Sequence, residues 1–243
     1  MQPIDIPTAE TVGFIQSHVA AGGQIIEVGC GDGEVAFALS RKGYEVIALD
    51  SDPERVTKAR NLGVRAEVAS WPRFDTARVD AIAFARSLHH INPLSDAVDR
   101  AEFLLKPKGV LLIEDFAVEA MNERTVNWFL EVVRSEPLSS VIQPVPESFL
   151  ADLLTAANPM KLWQDHHTRH DVQSFGALHQ VIADRFPACR VESVPYLYRY
   201  LVLAVPETNE SAELIRAFLR REIKAADDDQ IALIGRRIVA GAL

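Results

Sequence analysis

Along the first half of the chain, short apolar runs alternate with amphipathic stretches. Gln24 to Val28 is a compact apolar run that closes on Gly29, and Glu34 to Arg41 carries Val35, Phe37, Ala38 and Leu39 before Lys42 and Gly43. This order predicts a strand, a glycine loop and a helix. Glu45 to Leu49 is a second run, and Asp52-Pro53-Glu54 then starts a helix that continues through Arg60 and stops near Gly63. Val64 to Val68, Val79 to Ala85 and Gly109 to Glu114 are further strand candidates, and the last two flank a helix from about Pro93 to Leu105. Strands alternating with helices require right-handed crossovers and a parallel sheet covered on both faces.

After Asp115 the alternation breaks. Glu119 to Arg134 and Pro146 to Ala157 read as helices on either side of a proline-marked linker, Pro137 to Pro146, with Trp128, Phe129, Leu130 and Val133 as the inner face of the first. Residues 116–170 are therefore expected to form a helical cap, an apolar lid inserted into a core made of residues 1–115 and 171–206. The alternation resumes with a helix near Val172 to Arg185, a strand near Cys189 to Val194 and another near Tyr196 to Ala204, too closely joined to pair other than antiparallel. In that last strand Tyr196, Tyr198 and Tyr200 would share one face, leaving Arg199 on the other to pair with a substrate carboxylate or a buried acid. Residues 207–243 read as an extension of two amphipathic helices, one around Leu214, Ile215 and Phe218 and one around Ile231, Ile234 and Ile238, split by Asp227-Asp228-Asp229. An N-terminal helix is expected over about Thr8 to Ala20.

Composition narrows the function. With 25 Lys plus Arg against 34 Asp plus Glu, the formal net charge is -9, which argues against a nucleic-acid partner. A basic run at Arg216, Arg220, Arg221 and Lys224 reads as a solvated helix face. Cys30 and Cys189 alone give neither a disulfide framework nor a thiolate metal site. Met1 to Thr8 has no Lys or Arg, and no apolar run approaches a bilayer span, so a cytoplasmic protein without a membrane anchor is expected.

Glu27-Val28-Gly29-Cys30-Gly31-Asp32-Gly33 closes the first strand and opens a helix, the position where an open parallel sheet binds ligands. The dinucleotide fingerprint would need a glycine where Glu34 stands, and a carboxylate there would face a pyrophosphate. Asp50 ends the second strand, placed to accept hydrogen bonds from both hydroxyls of a ribose. A nucleoside ligand without a diphosphate suits both observations.

Further matching segments are A-L-D at Ala48 to Asp50, A-S-W-P at Ala69 to Pro72, S-L-H-H-I at Ser87 to Ile91 and L-K-P-K-G-V-L-L-I at Leu105 to Ile113. In order and spacing the chain resembles the class I S-adenosylmethionine (SAM) dependent methyltransferases, in their small-molecule, type 11-like group. The resemblance implies a Rossmann-like α/β fold: a seven-stranded, mostly parallel sheet in the order 3-2-1-4-5-7-6 with strand seven antiparallel, a helical cap insertion and C-terminal helices. It further implies that Gly29 and Gly31 lie against the methionine part of SAM, Glu27 near its ammonium and Asp50 on the ribose. Ser70 falls where many relatives bind the adenine amino group, Trp71 is available to pack on the ring, and Arg86 falls at the methionine end. Cys30, Ser51 and Leu88 complete the expected cofactor set, Cys30 as a small buried filler rather than a nucleophile.

His89 and His90 follow the fourth strand, where a histidine could take a proton from a hydroxyl, amine or imidazole. By the resemblance, the first of the pair faces the substrate and the second the scaffold. Trp163, His166, His167 and His170 lie at the return of the cap, with His167 a third catalytic candidate; were the segment helical, His166 and His170 would share one face, but no clear third metal ligand accompanies them. The expected activity is methyl transfer to oxygen or nitrogen of a small molecule. A nicotinamide-dependent oxidoreductase and a non-catalytic SAM-binding scaffold are the alternatives, and the cap or the C-terminal helices could support a homodimer.

Overall fold

The structure is a computed structural model that describes residues 1–170 and 172–241; Asp171, where the core was expected to resume, and the last two residues of the C-terminal extension lie outside the described residues. Strands β1 (Gln24–Val28), β2 (Glu45–Asp50), β3 (Ala66–Val68), β4 (Val79–Ala85), β5 (Leu105–Phe116), β6 (Cys189–Val194) and β7 (Gly235–Gly241) form one sheet in the order β3-β2-β1-β4-β5-β7-β6. The inner pairs are parallel, with Gln24 opposite Glu45, Ile25 opposite Ala81, Ala48 opposite Ala66 and Ile82 opposite Leu111. Strand β7 is reversed. Beside β5, the Ala117 N–H donates to the Ile234 carbonyl and Gly241 lies against Gly109; beside β6, Gly235 adjoins Val194 and the Gly241 N–H donates to Ala188.

Two expectations about the second half are corrected here. Tyr196 to Ala204 is no strand: Leu197–Ala204 forms a 3-10 helix, so the three tyrosines do not alternate across a sheet. The reversed strand comes from the end of the chain, where a second C-terminal helix was expected. Its Ile238, Val239 and Ala240 are consecutive and all buried, as befits an interior strand covered on both faces. The segment at the return of the cap, left open by the sequence, forms a helix, Pro159–Arg169, and the N-terminal helix starts earlier than expected, at Asp5.

The described chain divides into two compact units. One holds Thr8–Asp115, Gln173–Glu192 and the chain from Arg236. In it, helices α1 (Asp5–Gln16), α2 (Glu34–Arg41) and α3 (Pro53–Asn61) bury Ile15, Leu39 and Val56 with Ile25 and Ala83. Helices α4 (Leu94–Leu104) and α8 (Phe175–Arg185) bury Val98, Ala101 and Ile182 with Ile26, Ile82 and Ile238. Ile25 and Ile26 thus point to opposite faces of β1, as strand geometry requires.

The other unit holds Met1–Pro7, Phe116–Val172 and Ser193–Gly235, so residues 193–206, expected in the core, group with the insertion instead. Helices α5 (Glu123–Arg134), α6 (Phe149–Thr155), α7 (Pro159–Arg169) and α9 (Asn209–Asp227) surround the 3-10 segment and bury Phe129, Leu130, Trp163, Tyr198, Ile215 and Phe218. The Asn122 side chain caps α5 by accepting from the Thr125 N–H at 2.9 Å. No described helix is long and apolar enough to cross a membrane.

Candidate active site

The loop after β1 is shaped by what a side chain would collide with. Gly29 has φ +73°, and a Cβ there would stand 2.4 Å from the Cβ of Ser87, whose hydroxyl donates to the Val28 carbonyl at 2.5 Å. Gly33, with φ +96°, opens α2, and its missing Cβ makes room for Ala59 of α3. The Gly29 and Cys30 N–H groups both donate to the Leu49 carbonyl, at 2.8 and 2.9 Å. Asp50 completes the clamp: Oδ2 accepts from Gly31 N at 2.8 Å and Oδ1 from Asp52 N at 3.0 Å. Each carboxylate oxygen still offers a lone pair for a ligand hydroxyl.

These carboxyl ends of β1, β2 and β4 enclose a cavity of about 740 Å³. Gly29, Gly31, Asp50, Ser51, Ser70, Trp71, Arg86 and His90, all named as site candidates from the sequence, line it together. Trp71 does so from a fixed position, its Nε1–H donating to the Ala97 carbonyl at 3.0 Å and its ring edge-on to Phe84. Leu88, Cys30, Glu27 and His89 are not on the lining; all four are buried behind it.

Burial explains the behaviour of two of them. The Cys30 thiol is pushed up to about 12, mainly by burial and then by Glu27 and Asp50, so it stays neutral. Glu27 is pushed up to about 8 by burial, against the pull of Arg86, and its Oε2 has no hydrogen-bond partner. A buried carboxyl with an unspent oxygen next to a glycine loop suits a cationic ligand group. With the lone pairs of Asp50 and the open backbone of Gly29, the residues present fit a nucleoside that carries an ammonium.

Arg86 sits at the end of β4 with φ +61°. Its N–H donates to the Glu114 carbonyl at 2.7 Å, and its guanidinium lies 3.5 Å from the Glu114 carboxylate. Glu114 is buried and also holds Thr11 Oγ1 at 2.6 Å and Arg237 Nε at 2.9 Å. Arg55, another lining residue the sequence reading missed, is held by Asp32 of the loop at 3.1 Å. Glu114 and Asp115 were missed as well, although an acidic pair ending a predicted parallel strand points to the ligand side of such a sheet.

The histidine pair is oriented opposite to the expectation. His89 is 4% exposed, with Nδ1 2.7 Å from Asp115 Oδ1 and Nε2 3.0 Å from His90 Nε2. His90 lines the cavity. His167 belongs to the other compact unit, buried with Nδ1 2.7 Å from the Trp163 carbonyl and packed on Phe116 and Trp163. The His166 and His170 rings lie 4.4 Å apart, and burial with His167 and His170 pushes His166 down to about 4. Among the described residues no group of three His, Cys, Asp or Glu could hold a metal ion.

A family model described as a methyltransferase domain matches residues 14–159. The ubiquinone biosynthesis O-methyltransferase of Xylella fastidiosa (strain M23) is 32% identical over 133 residues, 51% of this chain and 52% of that protein. The protein of the same name from Serratia proteamaculans (strain 568) is 25% identical over 184 residues, 71% of this chain and 73% of that one. The chain spans about half the length of the first curated relatives it matches. Among solved structures, the plantazolicin methyltransferase BpumL in complex with SAH shares the fold at a TM-score of 0.54 and 14% identity, covering 98% of this chain and 84% of that one.

Proposed function

Because the chain belongs to the methyltransferase domain family, as a class I SAM-dependent methyltransferase, we propose that it methylates an oxygen or nitrogen of a small-molecule acceptor, with His90 as the base. Bound SAM supplies an electrophilic methyl group on a sulfonium for in-line displacement. Asp50 accepts the ribose hydroxyls, the Gly29 to Gly31 backbone admits the methionine portion, Glu27 receives the ammonium, and Ser70 and Trp71 hold the adenine. His90 takes the proton the acceptor releases. The oxidoreductase alternative falls with the family assignment and with Glu34 in place of the third glycine.

The observation that carries this reading is the convergence of Asp50 and His90 on one cavity. A small acceptor is supported by the net charge of -9, which gives no field for a polyanion. An oxygen acceptor is favoured by the name of the Xylella and Serratia relatives. Calorimetry with S-adenosylhomocysteine (SAH) tests the cofactor site, with micromolar binding expected. Mass spectrometry of small molecules retained through purification, before and after incubation with SAM, tests the acceptor: a gain of one methyl mass on a small molecule supports the reading. Methylation found only on protein or RNA overturns it.

A further inference from the structure

Strand β6 ends the sheet: β7 flanks it on one side, and among the described residues no strand lies on the other. Arg190, Val191 and Glu192 are all exposed, although successive side chains point to opposite faces, so neither face of the strand is covered there. Two contacts with β7 fix which backbone groups turn outward. The Ala188 carbonyl accepts the Gly241 N–H at 3.1 Å, and the Val194 carbonyl oxygen is aimed at Gly235, where a Cβ would stand 2.5 Å from it. Along an antiparallel pair, every second residue turns its N–H and C=O to the same neighbour. Ala188 and Val194 are an even number of residues apart, so Arg190 and Glu192 also bond toward β7, and the N–H and C=O of Val191 point away from the sheet. Such an edge is a template for another strand.

The side chains select the strand that fits. Arg190 and Glu192 share one face, and Val191 lies on the other. Opposed residues of an antiparallel pair point to the same face, so two copies of β6 related by a two-fold axis normal to the sheet can be centred on Arg190, Val191 or Glu192. Centring on Arg190 or on Glu192 sets two like charges directly opposite each other. Centring on Val191 instead sets Arg190 of each copy opposite Glu192 of the other. In that register Val191 exchanges both N–H···O bonds with its counterpart, and Arg190 and Glu192 fall in the neighbouring pairs, where side chains approach most closely. Backbone and charge thus agree on one register.

We propose that the β6 edge is a self-association surface, to which a second copy of this chain adds its own β6, antiparallel and centred on Val191, with Arg190 and Glu192 paired reciprocally. The surface is distinct from the cap and the C-terminal helices, and the cavity at the carboxyl ends of β1, β2 and β4 takes no part in it. Three residues a side make a small contact, so the dimer is a weak one, with a dissociation constant on the order of 100 μM.

Sedimentation velocity of the full chain tests this, over about 10 μM to 1 mM and at an ionic strength of about 0.15 M, which screens the mutual repulsion of copies that each carry a net charge of -9. The wild-type protein is expected to pass from monomer to dimer across that range. Arg190→Glu sets Glu against Glu at both pairs and Glu192→Arg sets Arg against Arg, so each single change is expected to weaken the dimer at least about tenfold. The two changes shift the net charge in opposite directions, so a general charge effect would move the two proteins apart rather than weaken both. The double variant Arg190→Glu/Glu192→Arg restores the pairing, and an equimolar mixture of the two single variants forms a dimer that neither forms alone. Both positions are exposed, and recovery in the mixture shows that the single variants are folded. A wild-type chain that stays monomeric throughout overturns the proposal and leaves the edge to a strand of another protein. A dimer that survives both single reversals overturns it by placing the contact elsewhere, and so do single variants that regain nothing on mixing.

Discussion

The Asp50 carboxylate accepts the Gly31 N–H at 2.8 Å, so the acid that ends β2 holds the loop that ends β1. On the proposed reading the same oxygens meet a ribose, and one substitution would then loosen the loop and remove the sugar contact together. Asp50→Ala is expected to weaken SAH binding by about 10- to 100-fold, the range for losing hydrogen bonds to a charged group. Asp50→Asn keeps one acceptor oxygen and falls between the two. Calorimetry of the three proteins checks the ranking, and equal affinities for Asp50→Ala and wild type would remove the ribose assignment.

The parallel half of the sheet was legible because each of its strands carries a short apolar run, those of β1, β2 and β5 ending at Gly29, Asp50 and Glu114, and because helix start signals such as Asp52-Pro53 lie between them. The glycine loop after β1 was legible for the same reason. The segment after Pro195 was not: Tyr196 to Ala204 is apolar and aromatic enough for a strand, yet its first N–H groups are captured by Glu222, more than twenty residues later in sequence. No local pattern encodes so distant a cap. Ile231, Ile234 and Ile238 mimic helical spacing, whereas the strand is set by a run of three buried residues between Gly235 and Gly241. The order of the histidine pair failed similarly, since only the fold brings Asp115 of β5 to His89.

Gly29→Ala tests the close approach at the cavity. The new methyl group would need φ near +73° and would stand 2.4 Å from Ser87 Cβ, a contact that backbone or Ser87 must yield to. The left-handed conformation alone costs about 1–2 kcal/mol for a residue with a Cβ. Urea denaturation is expected to show a loss of at least about 2 kcal/mol, with SAH affinity reduced in the same protein. Full stability in Gly29→Ala would contradict the geometry of the loop.

With the cofactor placed as proposed, Glu27 would tie its binding to pH. Burial holds its carboxyl up at about 8, so it is mostly protonated at neutral pH without ligand. A cationic ammonium placed beside it favours the ionised form, and binding then releases a proton. The enthalpy of SAH binding at pH 7 is expected to vary with the ionisation enthalpy of the buffer, with up to about one proton released. Above about pH 9 that dependence fades, since the group is already ionised. In Glu27→Gln it is absent at every pH. A wild-type enthalpy independent of buffer at pH 7 would rule the coupling out.

Glu222 gives the insertion its own pH response. The carboxylate is fully buried in α9, with Oε1 2.7 and 2.9 Å from the N–H groups of Tyr196 and Leu197 and Oε2 3.2 Å from that of Tyr198. Burial pushes it up to about 7, although the three N–H groups and Arg199 pull the other way. The folded value thus lies above the unfolded one of 4.5, so the fold favours the protonated acid. Stability from this group is fully present below about pH 4.5 and declines as pH rises toward 7, by about 3 kcal/mol in all. Glutamine has the shape of the protonated acid and does not titrate. Glu222→Gln is therefore expected to match wild type near pH 5 and to exceed it at pH 8, while the contribution of Glu27 cancels in the comparison. Urea melts of both proteins across that range measure the difference directly, and parallel curves would show that Glu222 carries no such burden.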